Sequence, residues 1–194
     1  MASSDGAARS LRADAQANHD RLLEVAARAF AEDGAEASLK AIAKEAGVGI
    51  GTLYRRFPTR EILVEATYRS ESARLCASAC DLLRQMPAVD ALRVWMERFL
   101  DYLATKRGMS GSLRAVLTND DDLRLKTRGM LIDALALLLR ESEEQGTVRG
   151  GLDPSDVVMA LGGIALIAGD RDQRDLAGRL LDLLMAGLTA DAGK

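Results

Sequence analysis

The chain has 194 residues, 48% of them hydrophobic, with three prolines, 4% aromatics and a formal net charge of −3. That suffices for one ordinary domain, or for a small module joined to a larger one, and the scarcity of proline leans toward helices. Cys76 and Cys80 are the only cysteines. Two are too few for a disulfide framework and point to a reducing cytosol. Residues 1–20 are polar and lack the apolar centre of a secretory signal. The most apolar stretch, 157–169, is shorter than the roughly 18 residues of a membrane span. The expectation is a soluble, cytoplasmic protein with no membrane partner.

The acidic total conceals a local reversal. Between positions 38 and 60 stand Lys40, Lys44, Arg55, Arg56 and Arg60 against the single acid Glu45. Such a patch draws phosphate to one face of a molecule that otherwise repels it.

In chain order, residues 1–17 are rich in Ala, Ser and Arg without an apolar period and read as a flexible N-terminal arm. In it, Arg9 and Arg12 either reach DNA phosphates or a minor groove or have no structural role. A first helix is predicted over 18–33, with Asn18 as N-cap, an apolar stripe of Leu22, Leu23, Val25, Ala26, Ala29 and Phe30, and Gly34 as its stop. Ser38 caps a second helix that turns Leu39, Ile42, Ala43 and Ala46 inward and ends at Gly47. A third covers 50–57. Pro58 cannot continue it, and Thr59 caps a long fourth helix over 60–83. Helical spacing persists over 88–106, 110–117, 121–144, 154–168 and 171–190. The breaks fall at Pro87, Gly108, Asn119-Asp120 and 146–151, and Asp153-Pro154 makes a clear start. The fold class is all-α: an N-terminal three-helix helix-turn-helix bundle over 18–66, joined by the long fourth helix to a C-terminal helical bundle over 67–194, about nine helices in total.

The run Leu39-Lys40-Ala41-Ile42-Ala43-Lys44-Glu45-Ala46-Gly47-Val48, then Gly51-Thr52-Leu53-Tyr54-Arg55-Arg56-Phe57, then Arg60-Glu61 and Leu63, resembles the DNA-binding segment of the TetR family of bacterial transcriptional regulators. The resemblance covers roughly residues 18–68. It implies that the second helix crosses the DNA backbone and the third enters the major groove. Carried over position by position, Ser38, Lys40 and Lys44 hold phosphates. Thr52 and Arg55 face base edges, since arginine pairs bidentately with guanine. Ile50 packs on a thymine methyl, and Gly51 lets the helix approach closely. Tyr54, Arg56, Thr59 and Arg60 anchor further phosphates. Tyr54 has the alternative of a half-buried core phenol, and Arg56 that of an ion pair with Glu61. Leu53 and Phe57 are four apart and belong to the core. Gly49 stands where related sequences often carry Ser or Thr, which removes a capping hydroxyl and a phosphate contact.

The resemblance further implies a homodimer on a near-palindromic, double-stranded operator, and a small-molecule effector in the C-terminal domain. Its dimer surface is expected at Val158, Leu161, Gly162, Ala165, Leu180, Leu184 and Leu188, where the last two helices are apolar on more sides than one neighbour needs. Trp95, Met96, Phe99, Tyr102, Leu103, Met109, Leu113, Leu117, Met130 and Leu131 are the ligand-lining candidates, and they suit a mostly apolar ligand; plain core is their other reading. Cys76 and Cys80 read as two small buried residues ahead of a sensing pair. His19, the single histidine, lies in the first helix, far in sequence from them, so no metal set forms, and no cofactor is called for. Without a nucleophile–base pair, metal cluster or phosphate loop, an enzyme is not expected. A dimeric repressor released by ligand is the first reading. An activator or architectural DNA binder of the same fold, answering to a protein partner, is the alternative.

Overall fold

The computed structural model describes residues 3–168 and 173–189, with side chains for all of these but 3–14 and 119. Among them the chain is all-α. Helices α1 to α9 span Ser3–Asp33, Leu39–Glu45, Ile50–Arg56, Arg60–Leu83, Ala88–Gly108, Ser110–Asn119, Asp121–Glu144, Pro154–Ile167 and Arg174–Leu188, and a 3₁₀ turn covers Gly34–Glu36. Positions 171, 172 and 190 of the expected last helix lie outside the described residues, as do positions 1 and 2 of the expected arm.

Two compact units result. One comprises residues 1–70 with 105–118, the other 71–104 with 119–194. The first therefore takes in a stretch, 105–118, that the single cut after residue 66 had assigned to the C-terminal domain.

In the first unit, α1 is the departure. The expected arm is helical from Ser3 onward, and Asn18 sits inside the helix instead of capping it. Alanines at 7, 8, 13, 15 and 17 explain this, because alanine forfeits no side-chain entropy in a helix. The Gln16 amide also donates to Asp20 one turn on, at 2.8 Å. An apolar stripe was not required for the helix to form. The sides of Arg9 and Arg12 fall outside the described side chains.

The remaining elements follow their punctuation. Ser38 Oγ accepts from the Ala41 N–H at 3.4 Å, and Thr59 Oγ1 accepts from the Ile62 N–H at 3.3 Å. Caps of this kind are worth about 1 kcal/mol each. Leu22, Leu23, Val25, Ala26, Phe30, Ile42, Ala43, Leu53, Phe57, Leu63 and Val64 are buried and form the core of the bundle. Gly108, expected as a break, closes α5 and lies against α1: a Cβ built there would stand 1.8 Å from the Phe30 carbonyl oxygen. Only a residue without a side chain permits that approach.

In the second unit, α7 packs on α8 and α8 on α9. Asp120 caps α7 by accepting from the Leu123 N–H at 2.8 Å, and Asp153 caps α8 by accepting from the Ser155 N–H at 2.8 Å, with proline at the start. The Arg149 N–H donates to the Leu188 carbonyl at 2.9 Å, tying the α7–α8 loop to the end of α9. The Gln145 side-chain oxygen accepts from the Ala88 N–H at 3.2 Å, tying the end of α7 to the start of α5. No helix among the described residues is long and apolar enough to cross a membrane.

Gly108→Ala should force α1 and α5 apart and cost roughly 1–3 kcal/mol, the usual toll of overpacking. A Cβ at Gly111 meets nothing within 4 Å. Gly111→Ala should therefore be neutral or stabilising by up to about 1 kcal/mol. Urea denaturation of the two variants against the parent chain checks both signs.

Candidate nucleic-acid interface

The turn between α2 and α3 is built on one left-handed residue. Gly47 has φ +71°, the Val48 N–H donates to the Ala43 carbonyl at 2.9 Å, and the Gly47 N–H donates to Lys44 at 3.1 Å. Those two bonds satisfy carbonyls that the end of α2 would otherwise leave open. From α1, the Arg21 Nε–H donates to the Ala46 carbonyl at 3.2 Å. Arg28 pairs with Glu45 at 2.8 Å on the surface. An exposed pair of this kind adds little stability. Its effect here is to occupy the one acid of the basic segment.

α3 then presents two faces. Leu53 and Phe57 are buried at 0% and 4% exposure, while Ile50 and Tyr54 stand 39% and 48% exposed. Gly51, Thr52, Arg55 and Arg56 are exposed beside them. The half-buried alternative for Tyr54 is thereby removed. A Cβ on Gly51 would meet no protein atom within 4 Å, so packing within the chain does not demand glycine there. Gly49 starts α3 without a side-chain cap, as its lack of a hydroxyl dictates. Lys40, Lys44, Arg55 and Arg56 make no ion pair among the described residues, which removes the Arg56–Glu61 alternative. Ser38 and Thr59 use an oxygen lone pair for capping, which leaves each O–H free to donate outward. Exposed cations, hydroxyls, a phenol and one apolar side chain thus stand on or beside the two short helices α2 and α3.

Comparison with known proteins gives this surface its setting. Residues 22–67 match the family model for bacterial regulatory proteins of the tetR family, and residues 87–190 match that for the C-terminal domain of SbtR-like transcriptional regulators. The structure is similar to that of a TetR transcriptional regulator from Streptomyces coelicolor, with 47% identity, a TM-score of 0.84, and 89% of this chain and 99% of that one covered. The chain belongs to the TetR family. A TetR transcription regulatory protein from Mycobacterium vanbaalenii is similar at 30% identity and a TM-score of 0.74, covering 93% of this chain and 99% of its own. An HTH-type transcriptional regulator of Staphylococcus aureus is 46% identical over 54 residues, a match that spans 27% of this chain and only 29% of that relative. Membership in this family makes the protein a regulator and not an enzyme.

Within this TetR-family chain, Arg60 departs from its expected place among the phosphate contacts. Its guanidinium is turned inward and donates to the Ala37 carbonyl at 2.7 Å and to the Gly34 carbonyl at 3.1 Å, above the Phe30 ring. Two acceptors and a ring face hold the group that was to grip DNA.

Arg21, Arg28 and His19 hold α1 against the α2–α3 segment without having been singled out for it. No local motif marks them, and only the crossing of α1 over the α2–α3 turn brings them there. His19 stacks on Phe57, ring centroids 5.7 Å apart at an interplanar angle of 15°. Its Nδ1 is buried without a hydrogen-bond partner. Burial and then the Arg56 charge hold the imidazole below its ordinary pKa, against the opposing pull of Asp20.

The ligand-lining candidates divide. Trp95, Met96, Phe99, Tyr102 and Leu131 are buried in the second unit, Met109 and Leu113 are buried in the first, and Leu103 and Leu117 are half-buried. Met130 is 46% exposed. Trp95 Nε1–H donates to the Leu75 carbonyl at 3.0 Å, and the Ser72 hydroxyl donates to Tyr102 Oη at 3.2 Å. The three rings follow one another at centroid spacings of 5.4 and 6.0 Å.

The expected dimer residues are also sorted. Leu161, Ala165 and Leu188 are interior to the second unit. Val158, Gly162, Leu180 and Leu184 are half-buried. The apolar side chains left uncovered are Met159, Leu166, Ile167 and Leu183, from 64% to 80% exposed. Helical phase is the reason: positions 157, 161, 164 and 168 meet the neighbours of α8, so 159, 166 and 167 face away.

Cys80 is exposed, not buried as expected, and Cys76 is half-buried. Burial first, and then the Asp133 carboxylate, push the Cys76 thiol up to about 11, so it is not a reactive thiolate at neutral pH. Among the described residues, no group of three or more His, Cys, Asp and Glu is placed to hold a metal ion.

A histidine whose folded pKa is lowered binds its proton more readily in the unfolded chain. Stability should therefore fall as pH drops through the ordinary value of 6.5 and level off below the folded pKa. His19→Phe should remove that part of the acid sensitivity while keeping the stack on Phe57. Thermal unfolding between pH 5 and 8 on the order of half-unit steps tests this, and an unchanged profile would count against it.

Proposed function

We propose that this TetR-family regulator is a dimeric repressor that binds a near-palindromic operator and is released by a small, mostly apolar molecule. The observation that carries the DNA-binding part is the exposed face of α3, where Thr52, Tyr54, Arg55 and Arg56 stand outward beside Ile50 and Gly51 while Leu53 and Phe57 anchor the helix from behind. In this reading Arg55 and Thr52 meet base edges and Ile50 a thymine methyl. Ser38, Lys40, Lys44, Tyr54, Arg56 and Thr59 hold the sugar–phosphate backbone. Such a regulator works in the cytoplasm, where bacterial DNA lies.

One head of this size buries too little surface for tight, specific binding, which favours two heads on two half-sites. Met159, Leu166 and Ile167 of α8 with Leu183 of α9 leave an uncovered apolar face, and a second copy of the chain is the occupant that suits it. The Trp95, Phe99 and Tyr102 rings, with the hydroxyls of Ser72 and Tyr102 at one end, support an effector that is largely apolar and carries a single polar group. Its release of DNA requires different affinities for two conformations of the regulator.

Selection of bound sequences from a random duplex pool tests the DNA reading and measures half-site spacing at once. If no duplex is enriched even at low salt, the proposal fails. On the selected duplex, Arg55→Ala should cost about 1–3 kcal/mol and blur one base position, whereas Lys40→Ala should weaken every sequence alike and flatten the salt dependence. A second test concerns assembly. Leu166→Asp should shift sedimentation to the monomer and reduce operator affinity, and a variant that remains dimeric would remove the α8 face from the interface.

A further inference from the structure

We propose that Arg60 is a positioning residue that clamps the start of α2 in its reading orientation, and that it is not a DNA phosphate contact. The inference rests on the DNA-binding reading above but makes its own claim about the fold of the head. Arg60 is the first residue of α4, where the partial positive charge of the helix opposes a cation and favours acids such as the neighbouring Glu61. An exposed arginine there would be at home only against an external anion. This one has turned away from solvent to the other end of a helix.

α1 ends without any basic residue in its last turn, and the 3₁₀ turn that follows also has none. The Gly34 carbonyl, in the turn that follows α1, accepts the Ala37 N–H at 3.3 Å, and each carbonyl has two lone pairs, so both Gly34 and Ala37 can take a cationic donor as well. Arg60 supplies from a distance what the sequence of α1 omits. Its two Nη groups reach Ala37 and Gly34 at 2.7 and 3.1 Å, and its carbon lies 5.1 Å from the centroid of Phe30, which is fully buried. A planar guanidinium serves the two carbonyls from two separate nitrogens while its flat face lies over the ring, whereas an ammonium must donate from a single nitrogen.

The clamp acts on the reading surface through a shared plane. The Ala37 carbonyl and the Ser38 N–H belong to one peptide unit, so orienting that oxygen orients the residue that caps α2. Ser38 and, two residues on, Lys40 are aimed accordingly. Release of the Ala37 carbonyl would leave the entry of this seven-residue helix free to swing.

Arg60→Lys and Arg60→Met, made in the full chain, separate a clamp from a phosphate contact. The duplex is the one that the parent chain selects from a random pool. A clamp predicts that both variants lower the Tm by about 3–6 °C. Each should weaken specific binding roughly tenfold, with the slope of log affinity against log salt unchanged, because no phosphate partner is lost. A phosphate contact predicts instead a nearly normal Arg60→Lys, and an Arg60→Met with the parent Tm and a slope reduced by about one per subunit. That result, or no effect on either property, would overturn the clamp. Phe30→Leu combined with Arg60→Lys gives a check that needs no DNA: the two losses in Tm should be less than additive, and additivity would likewise overturn it. If the parent chain selects no duplex, the DNA-binding reading falls, while the thermal cycle still decides the role of Arg60.

Discussion

The left-handed backbone at Gly47 is the constraint on which the geometry of the reading head depends. With φ at +71°, the chain reverses within a few residues, and the Val48 and Gly47 N–H groups close the end of α2. Any other residue would carry a cost on the order of 1 kcal/mol for that conformation. It would also bring a Cβ to 3.3 Å from the Arg21 guanidinium that secures the Ala46 carbonyl from α1. Shift this turn and α3 rotates, so that Tyr54 and Arg55 no longer share a face with Ile50 and Thr52. Seven residues of isolated helix would not persist in water. α3 exists because the turn delivers Leu53 and Phe57 to the core, where they are buried.

Electrostatics in the head are arranged as much by what is occupied as by what is free. Glu45, the one acid among the cations of the segment, is paired with Arg28 on α1. Arg60 is withdrawn to helix-end carbonyls, and Lys40, Lys44, Arg55 and Arg56 are left on the surface without intramolecular pairs among the described residues. His19, its pKa lowered by burial first and then by the Arg56 charge, stacks on Phe57 and adds no cation of its own at neutral pH. Attraction for a polyanion is therefore concentrated on α2 and α3 of a chain whose total charge is −3.

Legibility in the sequence followed the range of the forces involved. α4 and α7 begin and end where Thr59 and Asp120 and the breaks after them predicted, because capping is an interaction between residues two to four apart. The burial of Leu53 and Phe57 and the exposure of Arg55 were equally readable from the 3.6-residue period. α1 was not, since its first half has no apolar stripe and is helical through alanine propensity alone. The inward turn of Arg60 was not readable for a different reason. Its partners, Gly34 and Ala37, are more than twenty residues away and offer backbone carbonyls, which leave no mark in side-chain identity.

Local chemistry in the sequence by itself determined that this protein is all-helical, where most helices start and stop, and which short segment forms the helix-turn-helix. Caps, glycine and proline punctuation and helical period act over a few residues and need no partner from elsewhere. Only the tertiary structure decided which way α8 turns. It is apolar nearly all round, so its sequence carries no preferred phase, and packing against α7 and α9 alone puts Leu161 and Ala165 inside and leaves Leu166 and Ile167 uncovered. The same holds at the head: the basic residues were countable in one dimension, but whether each points toward a duplex or into the protein depends on carbonyls and rings brought near by folding.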